Sequence, residues 1–223
     1  MMRRAEDRRN GASGFSMVEL LIVIVIILVI TAIAIPNLTQ AITTFRLRGS
    51  VSGLAGLLQE ARIVAVKQNI ITKTELGTLG NASVAFVDLN YDDKPGTYTC
   101  YQDPTQNCQE PVVQAAQGVS VQFGSVPTAL DSKKYLGYDN KGGDSSSPFL
   151  VGFNQRGLPC VPNPATKRPT LCDMGTLSTS SSSNYGFIYY FNVTSTFGTK
   201  WASLTITPAG RIRVWTLSGD TWN

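Results

Sequence analysis

The sequence contains no histidine, and charged residues are scarce. Without an imidazole there is no Ser-His-Asp or Cys-His triad, no histidine-ligated zinc or haem, and no imidazole base. Lys, Arg, Asp and Glu make up 15% of the 223 residues, and the net charge is only +4, which by itself is no argument for nucleic-acid binding. A glycine-rich phosphate loop and a nucleophile elbow are absent as well. We therefore predict a protein that is not an enzyme.

One long apolar run dominates the N-terminal part of the chain. It extends over 19 residues from Met17 to Ile35 and is interrupted only by Glu19 and Thr31. A helix of this length reaches about 28 Å, close to the hydrocarbon thickness of a bilayer. Residues 1–14 carry four arginines and two acids, so we predict a cytoplasmic N-terminus and a head on the far side. The run is too long for a cleaved secretory signal, which leaves an uncleaved signal anchor as the simplest interpretation.

The start of this run resembles the processing site of type IV prepilins and pseudopilins. Gly14 and Phe15 match the family, Glu19 is the fifth residue after the cut, and Pro36 stands where these helices usually carry a proline. The resemblance implies that a prepilin peptidase cuts after Gly14 and methylates Phe15. It also implies an inner-membrane assembly platform and packing with other pilins through the N-terminal helix.

A physical argument supports a role for Glu19. An ionisable residue in an apolar span costs about 2.5–3.5 kcal/mol at mid-membrane, although a position near the headgroups costs little. Among packed helices the carboxylate would need a partner, and the free amine of Phe15, from the same or a neighbouring subunit, is available. We therefore predict that Glu19 recognises this amine and sets the axial step of assembly.

Helical spacing continues beyond Pro36, which should bend the helix without ending it. An amphipathic stripe continues to Asn69 and consists of Leu54, Leu57, Leu58, Ala61 and Ala65. Three glycines, Gly49, Gly53 and Gly56, have the spacing for a close approach to a sheet or another helix, and we predict a sheet.

Beyond Asn69, short segments rich in β-branched and aromatic residues alternate with turn residues. They are Ile70–Leu76, Ala82–Leu89, Val119–Gly124, Phe149–Phe153, Gly186–Val193, Trp201–Thr207 and Arg211–Thr216. We predict an α+β fold in which a long N-terminal helix packs on an antiparallel sheet of about seven strands. The implied domains are a leader at 1–14, a transmembrane or filament-core helix at 15–36, an amphipathic helix at 37–69 and a β-rich periplasmic head at 70–223.

The head resembles GspH/FimT-type minor pseudopilins and minor pilins. Four segments carry this resemblance: Ala61–Asn69, Val87–Asp92, Phe153–Pro159 and Leu204–Arg213. Tyr98–Gln117 and Cys160–Asn184 look like insertions. The resemblance implies a subunit of a type IV pilus or of a type II secretion pseudopilus, at the tip or as an assembly primer.

Four cysteines lie beyond the apolar run. Their spacing favours two local disulfides, Cys100–Cys108 and Cys160–Cys172, each closing a proline-containing loop. A zinc site with four cysteines is the alternative, but the C-x₂₋₄-C pairs typical of such sites are absent.

One acid-rich segment has the alternating oxygen ligands of a calcium loop. Asp88, Asn90 and Asp92 occupy the alternating positions, but Asp93 replaces the usual glycine and Thr99 the final glutamate. A solvated turn is the alternative interpretation. We expect no other cofactor or metal.

Two arginines, Arg211 and Arg213, alternate near the C-terminus and should share one face. In FimT-like proteins a Gly-Arg-x-Arg motif is linked to DNA binding during uptake, and residues 210–213 resemble it. Paired guanidiniums suit salt-dependent phosphate contacts. The alternatives are a polar edge-strand face or a salt bridge to a neighbouring pilin. Trp215 and Trp222 would either stack on bases or belong to a core or interface.

Together these features predict a prepilin-type structural subunit in the inner membrane, with its head in the periplasm until it enters a filament. A membrane-anchored module that captures DNA or a secreted protein without polymerising is the alternative. An anchored enzyme ranks last.

Overall fold

The computed structural model divides the chain into two compact units. The described residues are 15–79, 82–89, 96–99, 107–122, 126, 128–130, 139–140, 149–162, 172–174, 185–196 and 198–223. The N-terminal unit ends at Ala41, and the head unit extends from Ile42 to Asn223. A single helix, α1 (Met17–Gln68), contributes its first part to the N-terminal unit and its second part to the head unit.

Helix α1 continues through Pro36, as predicted, and ends one residue earlier than the apolar stripe suggested. Asn69 follows it with a φ of 54°, in the left-handed region that asparagine tolerates better than most residues. The Ile70 N–H donates to the Ala65 carbonyl at 3.1 Å. These two features form a Schellman motif, which ends the helix and turns the chain into the first strand.

Fourteen strands follow α1 within the described residues. They are β1 (Thr72–Leu79), β2 (Ala82–Asp88), β3 (Thr97–Thr99), β4 (Asn107–Gln109), β5 (Val112–Gln114), β6 (Val119–Gln122), β7 (Asp139–Asn140), β8 (Phe149–Phe153), β9 (Pro159–Pro162), β10 (Cys172–Asp173), β11 (Tyr185–Ser195), β12 (Gly198–Ile206), β13 (Ile212–Ser218) and β14 (Thr221–Trp222). Each of the seven predicted segments overlaps one of them.

The strands form two larger sheets and a β3–β4 ribbon. Sheet 1 has the order β10-β9-β8-β1-β2-β5, and sheet 2 has the order β14-β13-β12-β11-β6. Neighbouring strands are antiparallel except β7, which pairs with β11 in parallel. The prediction of a single sheet was therefore incomplete. The additional strands are only two to four residues long, and three of them, β4, β9 and β10, contain Pro or Cys. Their sequences therefore show little of the alternation that predicts a strand.

The main core lies between α1 and the inner faces of both sheets. From α1 it contains Leu47, Val51, Leu54, Leu57, Leu58, Ala61 and Ala65, from sheet 1 and the residue that follows β2 Ala85, Val87, Leu89, Val151 and Phe153, and from sheet 2 Val119, Phe187, Tyr189, Phe191, Val193, Ala202, Leu204 and Ile206. The predicted helical stripe is therefore buried along its whole length. The predicted α+β fold, a long helix packed on antiparallel sheet, is confirmed.

The three helix glycines differ in their surroundings. A Cβ at Gly53 would come within 2.9 Å of Val113 Cγ1 on β5, so this glycine permits close packing of α1 on the edge of sheet 1. At Gly49 and Gly56 a Cβ would have no atom within 4 Å. The prediction of close approach to a sheet is correct for Gly53 and wrong for Gly49 and Gly56, because the latter two point away from the buried face.

Candidate functional site

The predicted processing site lies just before α1. Gly14 and the rest of the leader are outside the described residues, whereas Phe15 is described and is 79% exposed. The Ser16 carbonyl accepts the first intrahelical bond, from the Leu20 N–H at 3.1 Å. Ser16 is therefore the N-cap, and Glu19 three residues later completes the Ser-x-x-Glu pattern of a capping box.

Glu19 lies in the first turn of α1 and is exposed. The positive end of the helix dipole favours a carboxylate at this position. No partner for its side chain is found within the described part of this single chain, so the Glu19 carboxylate is open to a contact from outside. The recognition of the Phe15 amine stays a prediction.

The first part of α1 exposes its apolar side chains on all sides. From Phe15 to Ile35 the large apolar residues are exposed by 47–88%. Of the helical segments described, α1 is long and apolar enough to cross a membrane. A surface of this kind is stable only when lipid or other apolar helices cover it.

Three uncharged polar side chains between Thr31 and Thr39 bind their own helix. Thr31 Oγ1 donates to the Ile27 carbonyl at 2.9 Å, and Asn37 Nδ2 donates to the Ile33 carbonyl at 3.1 Å. Thr39 Oγ1 donates to the carbonyl of Pro36 at 2.9 Å. These bonds satisfy polar groups around a proline that lacks an N–H, as an apolar environment requires.

In the head unit, three of the four segments that carry the GspH/FimT resemblance meet at Arg62 on α1. Arg62 Nη1 donates to the Gly210 carbonyl at 3.2 Å. A Cβ at Gly210 would lie 3.2 Å from Arg62 Cζ, and a Cβ at Gly157 would lie 3.1 Å from Arg62 Nε. Both glycines have positive φ, 80° and 73°. We call Arg62, Gly157 and Gly210 the Arg62 junction. Their positions in the sequence do not predict that these three residues touch.

Two turns are held at the Arg62 junction. In the first, Asn154 Oδ1 accepts the N–H groups of Arg156 and Leu158 at 2.9 and 3.0 Å. In the second, Thr207 Oγ1 accepts the Arg211 N–H at 3.1 Å, and the Gly210 N–H donates to the Thr207 carbonyl at 2.7 Å. This second turn joins the antiparallel strands β12 and β13 as a hairpin. Each turn places one arginine at the surface.

Arg211 and Arg213 are both exposed, and phosphate binding by this pair stays a prediction. Arg211 lies in the turn before β13, and Arg213 lies within β13, paired with Thr205. The Arg213 guanidinium carbon lies 5.8 Å from the centre of the Trp215 ring, a cation–π distance.

The two C-terminal tryptophans belong to a second cluster on the outer face of sheet 2. Trp222 is 5% exposed and donates from Nε1 to the Thr128 carbonyl at 3.1 Å, so it is a core residue. Trp215 is half-buried and donates from Nε1 to Thr205 Oγ1 at 2.9 Å. Tyr190 also belongs to this cluster; burial raises its pKa, while a hydrogen bond from the Leu130 N–H opposes that shift.

One of the predicted disulfides is present. Cys160 and Cys172 are bonded, with their Cα atoms 5.4 Å apart, and connect β9 to β10. Cys108 is also disulfide-bonded, but Cys100 lies outside the described residues, so the Cys100–Cys108 pairing stays a prediction. The bond between Cys160 and Cys172 excludes the four-cysteine zinc alternative.

The calcium candidate is only partly described, since Asn90 and Asp92 lie outside the described residues. Asp88 is fully buried at the end of β2, where the Lys73 Nζ lies 4.0 Å from its carboxylate and also contacts Glu75. Glu110, which the sequence reading missed, accepts the Leu89 N–H at 2.6 Å and the Gly96 N–H at 3.0 Å. Through these two bonds Glu110 connects the residues on either side of the acid-rich segment. Its importance is evident only from its burial in the structure, which the sequence does not reveal. Calcium binding stays a prediction.

Comparison with known proteins identifies the N-terminal segment. Residues 9–35 match the family described as the prokaryotic N-terminal methylation motif. Neither a curated protein nor a solved structure matches this chain. The match covers the predicted cut site, Glu19 and the apolar run, and no similar match assigns the head to a subfamily. The chain is therefore prepilin-like: it joins a cleavage and methylation motif to a pilin-like α+β fold.

Proposed function

We propose that this chain is a minor pilin or pseudopilin that is cut after Gly14, methylated at Phe15 and assembled into a type IV pilus or a type II secretion pseudopilus. The observation that carries the proposal is the methylation motif at residues 9–35, followed by a helix that exposes apolar residues on every side. Before assembly α1 would anchor the chain in the inner membrane, with the head in the periplasm. In the filament, neighbouring helices would replace the lipid.

Processing is tested by co-expressing the full chain with a prepilin peptidase. We expect an intact mass that has lost residues 1–14 and gained one methyl group. A Gly14→Val variant should stay uncut, because a branched side chain replaces the glycine at the cut. If the wild-type chain keeps Met1–Gly14 while a known prepilin is processed in the same cells, the proposal fails.

Glu19 would recognise the amine of Phe15 on a neighbouring subunit. An exposed carboxylate at the first turn, close to the new N-terminus, supports this role. Glu19→Ala should be processed normally but enter filaments at least tenfold less efficiently. Glu19→Asp, which keeps the charge, should be intermediate. If Glu19→Ala subunits entered filaments as efficiently as wild-type subunits, this role of Glu19 would be rejected.

For the head, we propose a relationship to the GspH/FimT-type proteins. The contact of three resemblance segments at the Arg62 junction supports it, because segments far apart in sequence then form one structural unit. The secretion and pilus roles differ in their assembly partners. Pull-down of the processed chain with each assembly platform would distinguish them.

DNA binding through Arg211 and Arg213 is the second candidate function. It is favoured by two exposed guanidiniums, one of them held over Trp215. Duplex DNA binding should weaken steeply with salt, and Arg211→Ala with Arg213→Ala should reduce it at least tenfold. Unchanged binding by that double variant would reject the site.

A further inference from the structure

The outer face of sheet 1, opposite the face that packs on α1, holds a buried cluster of charged side chains. Lys73 on β1 is paired directly with Asp88 on β2, and Glu75 lies two residues further along β1 on the same face. The Asp88 side chain is fully buried, and the side chains of Glu75 and Lys73 are only 9% and 16% exposed. We call these three residues the Lys73 triad. The proposed assembly function does not use them.

The Lys73 amine lies next to both carboxyl groups of the triad. Its Nζ contacts the Glu75 carboxylate and lies 4.0 Å from Asp88 Oδ2. A rotation within the flexible lysine side chain can therefore bring Nζ to the roughly 3–3.5 Å from Asp88 Cγ at which an amine attacks a carboxyl carbon. The antiparallel pairing of β1 with β2 keeps the two groups adjacent in the folded head.

The surroundings of the Lys73 triad favour a reaction between amine and acid. Phe86 is fully buried and is paired with Glu75 on the same face, so an aromatic ring borders the charged groups. Burial disfavours the charged forms of an amine and of a carboxyl group, and the neutral forms are those that react with each other. A site that excludes water also favours the loss of a water molecule over the reverse hydrolysis.

Calcium is the competing use of Asp88, which is the first residue of the acid-rich candidate loop. The Lys73 amine already faces this carboxyl group, so a divalent cation would have to displace it. The described contacts of Asp88 therefore favour the amine over a metal ion as its partner.

We propose that Lys73 and Asp88 form an intramolecular isopeptide bond, an amide between Lys73 Nζ and Asp88 Cγ, with Glu75 as the catalytic residue. Glu75 takes one proton from the Lys73 ammonium, and the lone pair of the resulting amine forms a bond to Cγ of the neutral Asp88 carboxyl group. Glu75 gives this proton to the Asp88 hydroxyl, whose bond to Cγ breaks with its electron pair, so that water leaves. Glu75 then takes a second proton from the nitrogen. The products are a neutral amide, a neutral Glu75 and one water molecule, and no co-reactant is needed.

The bond would join the first strand after α1 to its neighbour in sheet 1. A force that pulls on α1 reaches the head through β1, and a covalent link to β2 prevents these two strands from separating. The link also closes the loop between residues 73 and 88, which restricts the unfolded chain as a disulfide does. The inference stands on the geometry of the triad and does not depend on the proposed assembly function.

The test is the intact mass of the full chain, purified in detergent micelles and measured after reduction of its disulfides. We expect a mass that is one water molecule below the mass of the sequence counted from the observed N-terminus, so that leader cleavage and methylation are recorded separately. Tandem mass spectrometry after proteolysis should find a branched peptide joined through residues 73 and 88.

Lys73→Arg keeps the positive charge of the triad but cannot form this amide. This variant should retain the full mass and melt about 5–10 °C lower than wild type, because the loop is no longer closed. The matched control is Lys67→Arg, the same substitution at an exposed position of α1, which should lose water and melt as wild type does.

Glu75→Gln tests the proton transfer, since it keeps both reacting groups and removes the carboxylate that carries the proton. Freshly expressed Glu75→Gln should contain less of the crosslinked form than wild type by a factor of about ten or more. Equal crosslinking in the two proteins overturns the catalytic role of Glu75.

The wild-type mass decides the proposal itself. A wild-type chain that melts cooperatively, and is therefore folded, but has the full sequence mass overturns the isopeptide bond and leaves the Lys73 triad as an ion-pair cluster. A loss of water that maps to any other pair of residues, or that persists in Lys73→Arg, overturns it as well.

Discussion

The two parts of α1 differ in the solvent exposure of their large apolar side chains. In the N-terminal unit Ile26 is 52% exposed, and its neighbours are exposed to a similar degree. In the head unit Leu58 is fully buried, and the residues on its stripe are buried with it. Both parts are helical, yet only the second has a stripe matched to a sheet surface.

This difference shows that helix formation and burial are separate requirements. The first part forms its backbone hydrogen bonds within the helix, and its apolar side chains face the surrounding medium, as in helices that cross a lipid bilayer. The second part derives its stability from one packed face. The expected effects of substitution therefore differ sharply between the two parts.

The largest expected contrast is between Leu58→Ala and Ile26→Ala. Removing the buried Leu58 side chain should lower the free energy of unfolding of the head by about 2–5 kcal/mol, because it loses apolar contacts and leaves a cavity. Ile26→Ala should leave head unfolding unchanged. Chemical denaturation of the full chain in detergent measures both. Equal effects would mean that the two parts of α1 are not energetically distinct.

A somewhat smaller effect is expected from the disulfide, which lies only in the head unit. Replacing Cys160 and Cys172 with serine should destabilise the head by about 2–3 kcal/mol, since the closed loop of 12 residues restricts the unfolded chain. Retention in membranes should not change. If the double variant detached from membranes at unchanged head stability, the assignment of the two regions would be reversed.

The glycines of α1 sharpen the contrast within one helix. Gly49→Ala should stabilise the head by about 0.5–1 kcal/mol, because alanine is the better helix former and nothing occupies the space of its Cβ. Gly53→Ala should lose that gain, because the new Cβ meets Val113, and overpacking costs about 1–3 kcal/mol. Thermal melting of the two variants should give shifts of opposite sign. Shifts of the same sign would show that β5 moves away freely.

The smallest effect concerns Tyr189, in the core that the second part of α1 covers. Its hydroxyl has no hydrogen-bond partner among the residues that the structure describes, and burial raises its pKa well above the usual value. The folded chain therefore keeps this proton at pH values where the unfolded chain loses it. The resulting stability is present below about pH 10 and is lost as the pH rises beyond that.

Tyr189→Phe should reduce the loss of stability at alkaline pH, of which Tyr190 contributes a further part, and should change stability at neutral pH by less than about 1 kcal/mol. Tyr190→Phe is the control, because it deletes the acceptor of the Leu130 N–H and should destabilise at neutral pH. The free energy of unfolding of both variants, measured by chemical denaturation at pH 7 and pH 11, distinguishes these two effects. A Tyr189→Phe protein as sensitive to alkali as wild type would contradict the account.

The elements with strong periodicity could be predicted from the sequence. The apolar run, the stripe through Leu58 and the long strands β11 and β12 follow from local pattern, since burial imposes periods of 3.6 and 2. The division into two sheets could not be predicted. It depends on strands such as β10, Cys172–Asp173, which are too short to carry a pattern and exist because a disulfide and a neighbouring strand hold them.

The candidate sites divide in the same way. The methylation motif is contiguous, so local sequence carries it fully. The Arg62 junction joins residues up to 148 positions apart, and no local rule predicts which carbonyl a distant arginine reaches. Glu110 is similar, because a glutamate before a proline gives no sign that it will accept two buried N–H groups.

The Cys160–Cys172 disulfide is also connected, through Met174 and Asn154, to the loop that carries Arg156. It holds the strand after which Met174 follows, and Met174 Sδ accepts a hydrogen bond from Asn154 Nδ2 at 2.9 Å. Asn154 in turn shapes the loop that displays Arg156. A chain with reduced thiols lacks this tether, so we expect the loop that carries Arg156 to be held less firmly until the disulfide has formed.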